Sequence, residues 1–75
     1  MSPQHRTTEP KNLLSAREMD ILQLLADGHA KKDIADLRGI SITTVAFHVR
    51  NIYKKLGVQN AAAAIARAFR SGIFK

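Results

Sequence analysis

The chain has 75 residues, of which 45% are hydrophobic and 5% aromatic, and it has no cysteine. A chain of this length forms one domain with a small core, and its composition favours helices packed through aliphatic side chains over a sheet. Without cysteine there is neither a disulfide nor a thiolate metal site, and every apolar run is far shorter than the about 18 residues that span a membrane.

The net charge of +6 is unevenly distributed along the chain. Residues 1–36 carry five Lys or Arg and six Asp or Glu, whereas residues 37–75 carry seven Lys or Arg and no acid. Because a solvated surface normally mixes both signs, the acid-free half indicates a polyanionic partner, with nucleic acid first and an anionic membrane surface second. A basic face that is merely solvated is the alternative.

The chain begins with a polar segment and a first helix. Residues 1–12 contain both prolines and show no periodicity, which predicts a flexible, disordered leader or linker before a domain over 13–75. Ser15 and Glu18 have the spacing of a capping box, so a helix is expected to begin there and to end near Asp27, before Gly28. Its inner face is predicted to consist of Met19, Leu22, Leu25 and Ala26, widened by Ile21 and Leu24.

The 25 residues from Lys31 to Lys55 have the spacing of a helix-turn-helix. A tight corner between two helices needs a small residue at the crossing, a residue tolerant of positive φ in the turn and an aliphatic anchor beyond it. Ala35, Gly39 and Val45 meet these needs. We therefore predict a second helix over Lys31–Arg38, a turn at Gly39, and a third helix capped by Ser41 that is built to lie in a DNA major groove.

The third helix has a competing interpretation. Val45, Phe47 and Val49 alternate, as in a strand. The helical spacing nevertheless accounts for twice as many residues, because it continues through a polar tail to Gly57. We therefore predict a helix whose buried positions are Val45, Val49, Ile52 and Leu56.

A fourth helix completes the predicted all-α, four-helix fold. Asn60 is its expected N-cap, and the helix is expected to run to about Ser71, before Gly72. Six alanines between Ala61 and Ala68 leave much of its surface small and flat. Its predicted core residues are Ile65, Ala68 and Phe69.

Five motifs of this chain resemble those of the LuxR-type (FixJ/NarL-like) DNA-binding domain of bacterial transcription regulators and stand in the same order as in that family. They are Leu14–Leu22, Leu24–Gly28, Asp33–Ala35, Ile40–His48 and Asn51–Val58, and the match extends from Leu14 to Ile73. The resemblance implies a cytoplasmic regulator of transcription, at the bacterial nucleoid, that needs no cofactor and binds double-stranded DNA. It also implies a dimer on an inverted-repeat operator, and an upstream receiver or sensor domain, as in two-component response regulators.

Three positions depart from the family pattern. The lysine that usually follows Thr-Val is Ala46, which removes a cation expected to contact DNA. The arginine that usually begins the fourth helix is Ala61, which puts in doubt its ion pair with Asp20. The leucine before the turn glycine is Arg38, so either Leu37 rotates inward or the Arg38 stem packs with its head in water.

The DNA-contacting residues are expected on the outer face of the third helix and beside it. Arginine can bind guanine or phosphate, asparagine can pair with adenine, and phenylalanine can contact a thymine methyl group. The alternative for Phe47 is a partly buried ring that covers the helix-turn-helix corner. Hydroxyl groups at a helix N-terminus suit a phosphate, and two lysines at the start of the second helix can clamp the backbone. The predicted set is Lys31, Lys32, Thr43, Thr44, Ala46, Phe47, Arg50, Asn51 and Lys54.

Dimerisation is expected through the fourth helix, as the resemblance implies. Ala62, Ala63 and Ala66 let two backbones approach closely but bury little area, and Arg67 and Arg70 repel their mates. We therefore expect a monomer in isolation and a weak dimer on DNA.

No enzymatic or metal site is predicted. His48 has no carboxylate or second histidine at ligand spacing, and Asp33 and Asp36 lack a nucleophile or a glycine loop beside them. The rival function is a basic helical module that binds an acidic protein partner. The outer face of the third helix contains Thr, Asn and Arg, which can hydrogen-bond to bases. A module that recognises only the charge of an acidic protein does not need Thr and Asn, so this face favours DNA as the partner. A membrane-surface helix ranks last, since the fourth helix has only mild alanine faces.

Overall fold

The computed structural model describes residues 14–74, which form four helices and no strand. The helices are α1 (Ala16–Ala26), α2 (Lys31–Arg38), α3 (Ile42–Leu56) and α4 (Ala61–Arg70). The all-α prediction is confirmed, and the segment with competing interpretations is helical throughout. The predicted leader over 1–12 lies outside the described residues. None of the four helices is long and apolar enough to cross a membrane.

Side-chain caps fix where three of the helices begin. Ser15 Oγ accepts a hydrogen bond from the Glu18 amide at 3.1 Å, and Glu18 Oε1 accepts one from the Ser15 amide at 2.9 Å, so the predicted capping box is present. Ser41 and Asn60 cap α3 and α4, where each accepts from the amide three residues later, at 3.0 and 2.8 Å. Each cap satisfies a backbone donor that the first helical turn leaves unpaired.

The corner between α2 and α3 has the predicted geometry. Gly39 adopts the left-handed conformation, with φ +67°, and the Ile40 amide donates to the Ala35 carbonyl at 3.0 Å. Ala35 is 5% exposed, as expected of a small residue at a helix crossing. A side chain at Gly39 would be strained, because L-residues rarely adopt a positive φ.

The core lies around α3, which packs against all three other helices. The four predicted core positions of α3 are all buried, and Ile34 of α2 is completely buried in the same core. The fully buried large side chains of the domain are Ile21, Leu22, Ile34, Val45 and Ile52.

The buried face of α1 is rotated from the predicted one. Ile21 was expected at the margin, but it is completely buried with Leu22. Met19, Leu25 and Ala26, expected at the centre of the inner face, are only partly buried. The physical reason is that α1 contacts α2, α3 and α4, so its covered surface is centred between Ile21 and Leu22.

The prediction that Phe69 belongs to the core of α4 is wrong. Ala64 and Ala68 are completely buried, Ile65 is partly buried, and Phe69 is 56% exposed. Small residues on the inner face let α4 lie close to α1 and α3, and Phe69 follows about 100° further round the helix. Its ring packs edge-on against Phe74, with the ring centroids 5.0 Å apart.

Candidate nucleic-acid interface

The outer face of α3 is polar, cationic and open. Thr43, Phe47, Arg50 and Lys54 are exposed and Asn51 is half-buried, on the side opposite the core positions. Phe47 is 54% exposed and its ring packs edge-on against His48, with the ring centroids 5.8 Å apart, so more than half of the side chain is open to a partner. The face therefore combines hydroxyl, amide, aromatic and cationic groups within one helix.

Four cations of the predicted set remain available to a partner. Lys31 and Lys32 are exposed at the start of α2, and Arg50 and Lys54 are exposed on α3. None of the four forms an ion pair with a carboxylate of residues 14–74. Their charge is thus directed to solvent on the two helices of the corner.

Three other cations of the basic half are bound within the domain. Arg38 pairs with Asp20, Lys55 pairs with Glu18, and Arg67 Nη1 donates to the Leu56 carbonyl at 2.9 Å. Arg67 therefore caps the C-terminal end of α3, a role that the sequence did not predict. These three cations therefore stabilise the fold, in contrast to the four exposed cations of α2 and α3 described above.

The expectations for Arg38 and Leu37 are replaced by a third arrangement. Arg38 Nε donates to Asp20 Oδ2 at 2.6 Å and Arg38 Nη2 donates to Asp20 Oδ1 at 2.7 Å. Leu37 has not rotated inward and is 52% exposed. Asp20 thus forms an ion pair with Arg38 on α2, whereas the pair with residue 61 on α4 that was in doubt is absent, because that residue is alanine. The hydrogen bond from Arg38 lowers the pKa of Asp20, and Arg17, 3.8 Å away, adds to this effect.

A buried carboxylate joins α1 to the end of α3. Glu18 is 5% exposed and accepts from Lys55 Nζ at 2.8 Å as well as from the Ser15 amide. Burial raises the pKa of Glu18, but the hydrogen bonds and charge of Lys55 and the Ser15 bonds outweigh it, so the pKa lies below the usual value. The pair therefore links the capping box of α1 to the last turn of α3.

The start of α3 adds two further features. Thr44 is half-buried, and its hydroxyl lies 2.9 Å from Ser41 Oγ, so both hydroxyls stand at the helix N-terminus. Ala46 is half-buried at the edge of the outer face. Ile42 is 51% exposed at the first position of the helix.

The surface of α4 contains the predicted dimerisation residues and one addition. Ala62, Ala66 and Arg70 are exposed and Ala63 is half-buried. Phe69 falls on the same stripe as Ala62 and Ala66, because positions four and seven residues apart share a helix face. The exposed surface of α4 is therefore more apolar than the sequence suggested.

Comparison with protein families decides the assignment. A model described as bacterial regulatory proteins of the luxR family, named GerE, matches residues 12–68. The match covers α1, α2 and α3 and most of α4. The chain belongs to the LuxR family. It is a LuxR-type DNA-binding domain of transcription regulators. The LuxR family is a family of DNA-binding regulators and not an enzyme family.

Individual LuxR-family relatives support this assignment in sequence and in structure. The chain is 47% identical over 58 residues to the probable transcriptional regulatory protein SgaR from Hyphomicrobium methylovorum, covering 77% of this chain and 28% of SgaR. The structure of the transcription factor GerE matches with a TM-score of 0.78 and 40% identity, covering 84% of this chain and 94% of GerE. The response regulator ChrA of a heme-sensing two-component system matches with a TM-score of 0.80 and 38% identity, covering 99% of this chain and 40% of ChrA. The chain thus spans less than a third of SgaR and less than half of ChrA.

Proposed function

We propose that this LuxR-type domain binds an inverted-repeat DNA operator as a dimer, with α3 of each copy in the major groove of one half-site. The observation that carries the proposal is the outer face of α3. Among residues 14–74, neither Arg50 nor Lys54 of this face forms an ion pair, whereas Lys55, the next residue after Lys54, is held by Glu18. An exposed helix face with two cations, beside the two lysines at the start of α2, is suited to a groove lined by phosphates.

Each side chain of the proposed interface has a role that fits its chemistry. Arg50 binds guanine O6 and N7 or a phosphate, and Asn51 pairs with adenine or donates to a phosphate. Phe47 contacts a thymine methyl group, and Lys54 binds the backbone. Thr43 lies beside them, within reach of a base or a phosphate.

Groups around α3 position the domain on the backbone. Thr44 and the free amides at the N-terminus of α3 favour a phosphate oxygen, because the N-terminal end of a helix carries a partial positive charge. Lys31 and Lys32 clamp the same strand from α2. Ala46 contributes only a methyl group at the edge of this surface. Contacts of this kind fix the register of the protein on DNA and contribute most of the salt-dependent affinity.

The dimer forms through α4. Ala62, Ala63 and Ala66 allow close approach of two helix backbones, with Phe69 beside them and Arg70 at the edge. Two exposed stripes of a ten-residue helix bury far less than the roughly 800 Å² per partner of a stable interface, so DNA or a further domain is needed to hold the pair. We propose an upstream receiver or sensor domain for that purpose, in a regulator that acts on DNA in the bacterial cytoplasm.

The experiment that tests the proposal is selection of bound duplexes from a random-sequence pool. We expect an inverted repeat whose half-site centres are about one helical turn, roughly 10 base pairs, apart, with two chains bound to each duplex. Arg50→Ala should weaken binding to the selected duplex by about 1–3 kcal/mol. Arg17→Ala, which removes the same charge from α1, is the matched control and should have little effect.

Two results would contradict the proposal. A selected motif without two-fold symmetry, bound by one chain, would exclude the dimer on an inverted repeat. Equal binding to the selected duplex and to an unrelated acidic polymer would instead favour the basic module for acidic partners.

A further inference from the structure

The outer face of α3 is divided along its length. Between Ile42 and Val49 there is no Lys, Arg, Asp or Glu, and the cations begin only at Arg50. The first two turns of the helix therefore present apolar and hydroxyl groups, and the last two present charge. Phosphate binding accounts for the charged half but not for the exposed apolar groups of the first half.

Ile42 is the least explained of these apolar groups. It is 51% exposed and does not belong to the partly buried side chains that pack on the core. The N-terminal cap of α3 depends on Ser41 and Thr44, whose contacts do not involve the Ile42 side chain. A β-branched residue also has lower helix propensity than many polar residues, so neither packing nor local structure requires isoleucine here.

The position of Ile42 fits contact with bases. Recognition helices of helix-turn-helix proteins place their N-terminal residues against base edges in the major groove. Ile42, Ala46 and Arg50 stand at i, i+4 and i+8, so they form one row along the helix, beside the row of Thr43 and Phe47. In the major groove the only apolar group that base pairs present is the C5 methyl group of thymine.

We propose that Ile42 is a specificity-determining residue that contacts a thymine methyl group, next to the thymine contacted by Phe47. This inference rests on the proposed function, because it requires α3 in the major groove. It predicts a half-site in which two different thymines are read by apolar contact and the neighbouring positions by Arg50. A phosphate or a guanine edge would offer no favourable contact to an aliphatic side chain.

The test replaces thymines by deoxyuridine, one at a time, in the duplex selected from the random pool. Deoxyuridine keeps the O4 acceptor and lacks only the methyl group. With the parent chain, we expect affinity to fall about fourfold for each contacted methyl group. Ile42→Ala should remove the sensitivity at one thymine, and Phe47→Ala should remove it at a different thymine. Circular dichroism should show both variants folded, since both side chains are exposed.

Leu37→Ala is the matched control. Leu37 is as exposed as Ile42, but it lies on α2 in a shallow cavity of about 350 Å³ shared with His29, Asp33 and Asp36, whose carboxylates disfavour DNA. Its deoxyuridine profile should equal that of the parent, and a changed profile would count against the assignment to Ile42. If Ile42→Ala and the parent have the same profile while Arg50→Ala still weakens binding, the inference is wrong and the proposed function stands. If no duplex is preferred over a scrambled one, both are wrong.

Discussion

Arg38 at the end of α2 holds both carboxylate oxygens of Asp20 in the middle of α1, at 2.6 and 2.7 Å. The next residue after Arg38 is Gly39, where the chain turns into α3. The pair therefore ties the helix-turn-helix corner to α1 at the point where the direction of α3 is set. Two parallel N–H···O bonds also define an orientation, which a lysine in the same place would not do.

We predict that Asp20 and Arg38 are energetically coupled. In a double-mutant cycle with Asp20→Asn and Arg38→Leu, measured by urea unfolding, the double variant should lose less stability than the two single losses together. The coupling should fall as salt rises to about 1 M, since both groups are partly exposed and are screened. The control cycle pairs Asp20 with Arg17, whose Nη1 lies 3.8 Å away, and should give a smaller coupling. Equal couplings in the two cycles would show that the bidentate geometry has no energetic consequence.

The second prediction concerns Glu18 and acid pH. Its pKa is lowered in the folded chain, so its contribution to stability is complete above the unfolded pKa of about 4.3 and is lost as the pH falls through the folded pKa. Glu18→Gln should lower the free energy of unfolding at neutral pH by about 1–2 kcal/mol, because it weakens a cap and a buried charged hydrogen bond. It should also flatten the loss of stability on acidification.

Lys55→Met tests the same pair from its other side. It removes the cation that lowers the pKa of Glu18 and leaves the effect of burial less opposed. Thermal unfolding between about pH 3 and pH 7 should therefore show a flatter acid limb for this variant as well. An acid limb as steep as that of the parent in both variants would contradict the role given to this pair.

The fold was predictable wherever local chemistry decides it. The caps at Ser15, Ser41 and Asn60 depend on residues three positions apart, and they are present as expected. Phe69 is mispredicted because a large apolar residue at core spacing normally marks the inner face of a helix, whereas the completely buried residues of α4 are Ala64 and Ala68. Ala64 and Ala68 are buried because α4 lies close to its neighbouring helices. The distance between helices cannot be predicted from the periodicity of one helix.

In the candidate site, too, features that depend on neighbouring residues were predictable and contacts between distant residues were not. Helical periodicity separates the outer face of α3 from its core face, so the exposure of Arg50 and Lys54 was predictable. Periodicity does not predict that Lys55 is bound within the domain while Lys54 is not, because the partner of Lys55 is Glu18, which is 37 residues away in sequence. Ile42 stands three residues before Val45 and seven before Val49, a spacing that favours a buried residue, so periodicity does not predict that Ile42 is 51% exposed at the start of α3.

Ala46 allows a test of the proposed rotation of α3 in the major groove. Ala46→Lys adds a cation at the edge of the outer face, so it should tighten binding to a scrambled duplex and steepen the salt dependence by about 0.9 per site in a log–log plot. Phe47→Ala should instead reduce preference for one thymine-bearing position. The control is Ala16→Lys, an equal charge at the exposed start of α1. Unchanged affinity for scrambled DNA in Ala46→Lys would show that residue 46 does not face the DNA.

The assembly of the chain gives a fourth prediction. The exposed stripe of α4 is short and contains two alanines and Phe69, and Arg70 at its edge repels its mate. We expect sedimentation equilibrium to show a monomer at micromolar concentration without DNA, because the area available is well below that of a stable interface. A tight dimer in the absence of DNA would contradict this, and loss of that dimer in Phe69→Ser would identify the surface responsible.

The most direct test of the account is the salt dependence of binding to the selected duplex and to a scrambled duplex of equal length, measured by fluorescence anisotropy. If the four cations Lys31, Lys32, Arg50 and Lys54 and the N-terminus of α3 together contact about five phosphates per chain, the logarithm of the binding constant should fall against the logarithm of salt concentration with a slope of roughly −4 to −5 per chain. The selected duplex should remain preferred at every salt concentration, because base contacts add to the phosphate contacts. A flat response to salt, or equal binding to the two duplexes, would contradict the proposal that α3 reads DNA.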